Sequence, residues 1–136
     1  MDTNNPIDSA IFFIRATLGV IFLAHGLQKT FGLFGGPGVE GVTGMLKSMG
    51  FAYPVMWAWI LSLTELIGGL FLILGILPRI SAALIAIIMV VAIVKVHGPK
   101  GLFSMQGGFE YQLLILMTCI SLMITGAGKF SLFDKF

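Results

Sequence analysis

Glu65 is the one charge in a twenty-six-residue apolar stretch from Ala52 to Leu77. A carboxylate at the middle of a membrane helix costs roughly 2.5–3.5 kcal/mol on insertion scales, so it needs a partner or water. Arg15, inside the first apolar stretch, is a partner at a matching depth. It lies about 12 Å along its helix, against about 18 Å for Glu65 on its own, a gap that an arginine side chain can close. The pair is expected to hold the helices together and to set the charge of their interior, or else only to fix packing.

A second polar level gathers His25, Gln28 and Lys29 at the end of the first apolar run with Lys95, His97, Glu110, Tyr111 and Gln112. His25 and Lys29 are one helical turn apart and share a face. With Glu65 below and Glu110 across, they could line a polar cavity that binds the oxygens of a lipid-soluble head group. Histidine titrates near neutrality, which suits proton exchange during quinone reduction. His25, Glu65 and Glu110 are therefore the candidate catalytic residues, and Arg15, Gln28, Lys29 and Tyr111 the candidate binding residues. His25 would exchange protons with a head-group oxygen, Lys29 would stabilise the reduced anion, and Glu110 would supply protons from the loop side. The alternative for Lys95 and Lys100 is to snorkel at helix ends. The alternative for His25 and His97 is to ligate a b-type haem.

Other chemistries find no constellation. There is no zinc motif, no nucleophile triad and no metal site. Gly36-Pro37-Gly38-Val39-Glu40-Gly41 matches GxGxxG, but no strand precedes it and no βαβ unit could follow. Cys119 stands alone in an apolar run, which excludes an intrachain disulfide and a CxxC pair. Any redox cofactor is then a diffusing quinone or belongs to a partner.

The elements that position these residues follow from composition. Of 136 residues 57% are hydrophobic and 10% charged, where a soluble domain carries about 25% charged residues. The net charge of +2 is too small and scattered for a nucleic-acid surface. Lipid is the expected solvent, for one domain over residues 1–136. The N-terminal flank carries Asp2 and Asp8 and no early Lys or Arg, so the first apolar run reads as retained rather than as a cleaved signal.

The pattern predicts an all-α, polytopic, antiparallel four-helix bundle with spans at about 7–29, 52–77, 80–96 and 110–125. Pro6 suits a first helical turn with Asn5 as its cap. Val39, Val42, Leu46 and Met49 predict a short amphipathic helix on the membrane surface between the first two spans. Tyr53, Trp57 and Trp59 form an interfacial aromatic group. Ala58, Ser62, Glu65, Gly69, Leu72 and Ile76 share a small and polar seam that should face the bundle. Pro78-Arg79 predicts a very short turn into the third span. Glu110, Leu114, Met117, Ser121, Thr125 and Gly128 form the more polar stripe of the fourth. Four spans put both termini on one side, where Arg79, Lys129 and Lys135 face Lys29, Lys47, Lys95 and Lys100 on the other, so charge gives no orientation.

Several pieces in order resemble the DoxX family of small four-helix membrane proteins. They are Arg15-Ala16-Thr17-Leu18-Gly19, Leu23-Ala24-His25-Gly26-Leu27-Gln28-Lys29, Phe34-Gly35-Gly36-Pro37-Gly38, Glu65-Leu66-Ile67-Gly68-Gly69, Gly107-Gly108-Phe109-Glu110-Tyr111 and Gly126-Ala127-Gly128 before Ser131. The likeness runs from about residue 9 to 134. One departure is visible: the tail reads Ser131-Leu132-Phe133-Asp134, with the acid one residue later than the family pattern. The resemblance implies a multi-pass protein of the cytoplasmic membrane labelled an oxidoreductase. Relatives include subunits of a thiosulfate:quinone oxidoreductase and a component of a mycobacterial membrane complex handling oxidative stress, while a distant branch acts in receptor assembly. It carries quinone-linked redox onto Arg15, His25, Lys29, Glu65 and Glu110.

The first functional reading is thus a membrane subunit that binds a quinone-like molecule, with a soluble redox protein as an expected partner and self-association open. A non-catalytic assembly partner or chaperone is the second reading, and a small transporter or proton pathway the third.

Overall fold

A computed structural model describes residues 5–133; Asp134 lies outside the described residues. Asn5 accepts the Ile7 amide at 3.0 Å and Pro6 opens helix α1 (Pro6–Phe31), as the sequence predicts. Gly32, at φ 69°, ends α1 by bonding its amide to the Gln28 carbonyl. A glycine-rich turn leads to α2 (Gly38–Ser48), and Pro54 opens α3 (Pro54–Leu74). Helix α4 (Pro78–Ala92) continues through a π-helical turn at Ile93–His97, and α5 runs from Glu110 to Thr125. The fold is all-α. Among the described residues three segments are long and apolar enough to cross a membrane: Pro6–Phe31, Pro54–Leu74 and Pro78–Lys100.

The α3–α4 turn falls earlier than expected, at Gly75–Leu77. Pro78 has no amide to bond, so it fits the first position of α4, and Arg79 is already helical. Gly75 supplies the left-handed conformation that ends α3, at φ 69°.

Helices α1 and α3 run antiparallel at very close range. A Cβ on Gly19 would lie 2.7 Å from the Gly69 carbonyl, one on Gly69 would lie 2.8 Å from the Gly19 carbonyl, and one on Gly26 would enter the Leu66 backbone. In lipid no hydrophobic force drives helices together, so small residues that let backbones approach supply the packing. The seam Ala58, Ser62, Glu65, Gly69 and Leu72 is buried here, whereas Ile76 falls beyond the end of α3 and is half-buried in the turn. Gly69→Ala is expected to lower unfolding stability in detergent by roughly 1–3 kcal/mol, because the obstacle is backbone and the helices must part. Gly44→Ala in α2 meets nothing within 4 Å and is expected to gain roughly 0.5–1 kcal/mol. Thermal unfolding of the two variants checks the opposite signs.

A core of Leu18, Phe22, Leu72, Ala82, Ile85, Ala86, Met89, Ile115, Cys119 and Leu122 joins α1, α3, α4 and α5. The amphipathic helix forms as α2, but Val42 and Leu46 are buried against Ala58 of α3 rather than laid on lipid. The more polar stripe of α5 lies on its outer face. Leu114, Met117, Ser121 and Thr125 point outward, while Ile115, Cys119 and Leu122 face the core. Ser121 and Thr125 donate to the carbonyls one turn back, at 2.9 and 3.0 Å, so the hydroxyls need no partner across the bundle.

After α5 the chain folds back beside the α3–α4 turn. Leu132 and Phe133 amides bond the Leu74 and Gly75 carbonyls at 3.1 Å, and the Lys129 amide bonds Asp8 at 3.1 Å.

Candidate functional site

Between the helices lies a cavity of about 670 Å³ that brings much of the second polar level together. Helix α1 contributes Phe22, His25 and Lys29, spaced three and four residues apart on one face. Helix α3 adds Trp57, Ile60, Thr64 and Glu65, and α4 adds Leu84, Ile87 and Ile88. His97, Tyr111 and Gln112 complete the polar part. Ile60, Leu84 and Ile87 are also about half exposed on the outer flank of α3 and α4. The cavity therefore borders the surface that lipid would cover.

Glu65 is 1% exposed, and its Oε1 accepts from Lys29 Nζ at 2.7 Å. Its partner is thus Lys29, and the expected Arg15–Glu65 pair does not form. The cause is register: Arg15 sits beside Leu72 and Ile73, about 11 Å along α3 from Glu65. The depth estimate assumed that α1 starts level with the end of α3, whereas α1 begins well below it. Lys29 reaches back towards Glu65 instead.

Arg15 is wholly buried and is not in the cavity wall. Its guanidinium donates to the carbonyls of Leu72 at 2.6 Å and Ile73 at 3.2 Å, and to that of Phe130. Two of these acceptors belong to the last turn of α3, which has no helical donors left. The planar fork thus caps α3 and fastens the returning tail, while it lies 5.7 Å from the Phe12 ring centroid.

Gln28 and Glu110 are likewise engaged away from the cavity. Gln28 Nε2 donates to the Phe34 carbonyl at 3.4 Å, across the glycine turn. Glu110 accepts the Ser104 amide at 2.8 Å and is exposed, tying the α4–α5 loop. Lys95 and Lys100 are exposed.

His97 Nδ1 lies 2.7 Å from the Gly107 carbonyl, and its Nε2 lies 3.2 Å from Gln112 Nε2. Both ring nitrogens are occupied, so iron ligation by Nε2 would first have to displace Gln112. His25 is exposed, with its ring centroid 6.4 Å from that of Phe22. Among the described residues no three His, Cys, Asp or Glu side chains cluster as metal ligands do.

The sequence reading missed the contribution of α2. Met45, Leu46 and Met49 form part of the wall. The helical spacing of Leu46 and Met49 was visible, but a spacing names a face and not what that face covers.

The family model of DoxX matches residues 10–98. The chain is 32% identical over 135 residues to "Putative oxidoreductase CatD" of Bacillus subtilis (strain 168), covering 98% of this chain and 90% of that protein. It is 29% identical over 133 residues to "Uncharacterized membrane protein Rv3486" of Mycobacterium tuberculosis, covering 90% of this chain and 78% of that one. No solved structure matches the chain. The matched region holds Arg15, His25, Lys29, Glu65 and His97 and ends before Tyr111 and Gln112. A family match over more than half of the chain, and a relative that is similar along nearly all of it, make this protein a member of the DoxX family of membrane proteins.

Proposed function

We propose that the protein is a multi-pass subunit of the cytoplasmic membrane that binds a quinone-like molecule in this cavity and supports its reduction. In this reading α1, α3, α4 and α5 are the four antiparallel spans. The observation that carries it is the cavity itself: about 670 Å³, apolar over most of its wall, with Lys29, Glu65, His25, Tyr111, His97 and Gln112 at its polar part. That volume falls in the range of small-molecule sites, and a few converging polar groups in an apolar pocket are their usual form. The half-exposed side chains Ile60, Leu84 and Ile87 give a lipid-dissolved ligand a route from the bilayer.

A quinone bound there supplies a two-electron, two-proton couple, with electrons delivered by a partner redox protein. The chain's own residues handle protons and charge. His25 and Tyr111 are able to donate or accept at a head-group oxygen. Lys29, held by Glu65, offers positive charge to a developing anion. The wall of Phe22, Leu46, Trp57 and Ile88 keeps bulk water from the ring. Arg15, Gln28 and Glu110 act on the frame and not on the ligand. The name of the Bacillus relative agrees with a redox role.

The test is extraction of bound small molecules from protein purified in mild detergent. A near-stoichiometric quinone in wild type, lost in His25→Ala that still folds, is the expected result. An empty extract from wild type would overturn the reading in favour of an assembly partner.

A further inference from the structure

The polar part of the cavity holds buried acceptors with no donors. Glu65 Oε1 takes Lys29, but Oε2 is buried and accepts from nothing. Gln112 Oε1 is in the same condition. The orientation of that amide follows from its neighbour. A carbonyl only accepts, so His97 Nδ1 must donate to Gly107. In the neutral ring Nε2 is then an acceptor, which takes the Gln112 NH₂ and leaves the amide oxygen over.

We infer that the cavity binds the reduced, dihydroxy form of a quinone-like ring more tightly than the oxidised form, with Glu65 Oε2 and Gln112 Oε1 accepting from the ring hydroxyls. This rests on the quinone reading above. A quinone brings only carbonyl oxygens and leaves both buried acceptors unmet, whereas a quinol brings donors. His25 and Tyr111 bond either form, so they do not discriminate. Lys29 donates only, but its side chain is 23% exposed and its remaining N–H groups can turn to solvent. The difference therefore falls on the two fixed acceptors. Satisfying a buried acceptor, one of them charged, corresponds to roughly tenfold in affinity or more. A tenfold preference for the reduced form raises the midpoint of the bound two-electron couple by about 30 mV. The site would thus draw electrons onto the ring that it holds.

The test uses Trp59→Phe, which leaves Trp57 in the cavity wall as the sole tryptophan. Its fluorescence is titrated anaerobically with decylubiquinone, decylubiquinol and the dimethyl ether of decylubiquinol, which keeps the ring and lacks the donors. The expected result is a quinol Kd roughly tenfold or more below the other two. That preference should shrink to within about threefold in Glu65→Gln or, should that variant not fold, in Gln112→Leu. Equal binding of quinone and quinol, or a preference unchanged in both variants, overturns the inference and leaves the quinone reading standing. No binding of any of the three compounds overturns both.

Discussion

Arg15→Met is expected to cost roughly 3–5 kcal/mol of unfolding stability in detergent, as removal of a buried charged donor from its acceptors does. The guanidinium serves the Leu72, Ile73 and Phe130 carbonyls at once, joining α1 to the end of α3 and to the tail. Methionine matches the stem but leaves these acceptors without a donor in an apolar place. Arg15→Lys should recover only part of the loss, since one ammonium cannot reproduce a planar fork spread over several oxygens. Thermal unfolding measures the loss. Limited trypsinolysis measures its location, because the tail should loosen first and open the exposed Lys129 to cleavage in Arg15→Met. Wild-type resistance at Lys129 in that variant would show that Arg15 does not hold the tail.

Lys29→Met is expected to cost about 3 kcal/mol, and more than Glu65→Gln does. The asymmetry comes from depth. The side chain of Glu65 is 2% exposed and that of Lys29 23%. Losing the lysine leaves a buried carboxylate without its charge partner. Losing the carboxylate leaves a lysine at the end of α1 that can straighten towards the head groups. The double variant Lys29→Met/Glu65→Gln removes both charges and should regain most of the loss. A full cycle of the four proteins gives the coupling energy. Additive losses would mean that the pair holds nothing together.

Much of the fold was legible because lipid imposes simple rules. Composition marks the class, and the Asn5 cap, Pro6 in the first turn and the seam from Ala58 to Leu72 stand where the spacing puts them. The pairing of charges was not legible. It depends on the offset between α1 and α3, which is set by glycine contacts such as Gly19 with Gly69, and a glycine names no partner in a sequence. The same ignorance put α2 on the membrane surface: an apolar stripe fits lipid and the flank of α3 equally well. At the site, His25, Lys29, Glu65 and Tyr111 line one cavity. Arg15, Gln28 and Glu110 share that chemistry but spend it on backbone groups, a choice that only three-dimensional neighbours decide.

The returning tail also bears on how the molecule fits its bilayer. With 16 residues α5 is about 24 Å long, short of a hydrocarbon layer of about 30 Å, while α1 with 26 residues reaches about 39 Å. In the four-span reading the flank of α5 would be too thin on its own. The segment after it adds depth on that side and turns Phe130, Leu132 and Phe133 outward. Irregular backbone survives at such depth only when its polar groups are met, and the bonds to Leu74 and Gly75 meet them. In that reading a non-helical patch completes the hydrophobic girth at one corner. Mismatch with a thicker or thinner membrane would be felt there first, at the same corner that Arg15 fastens.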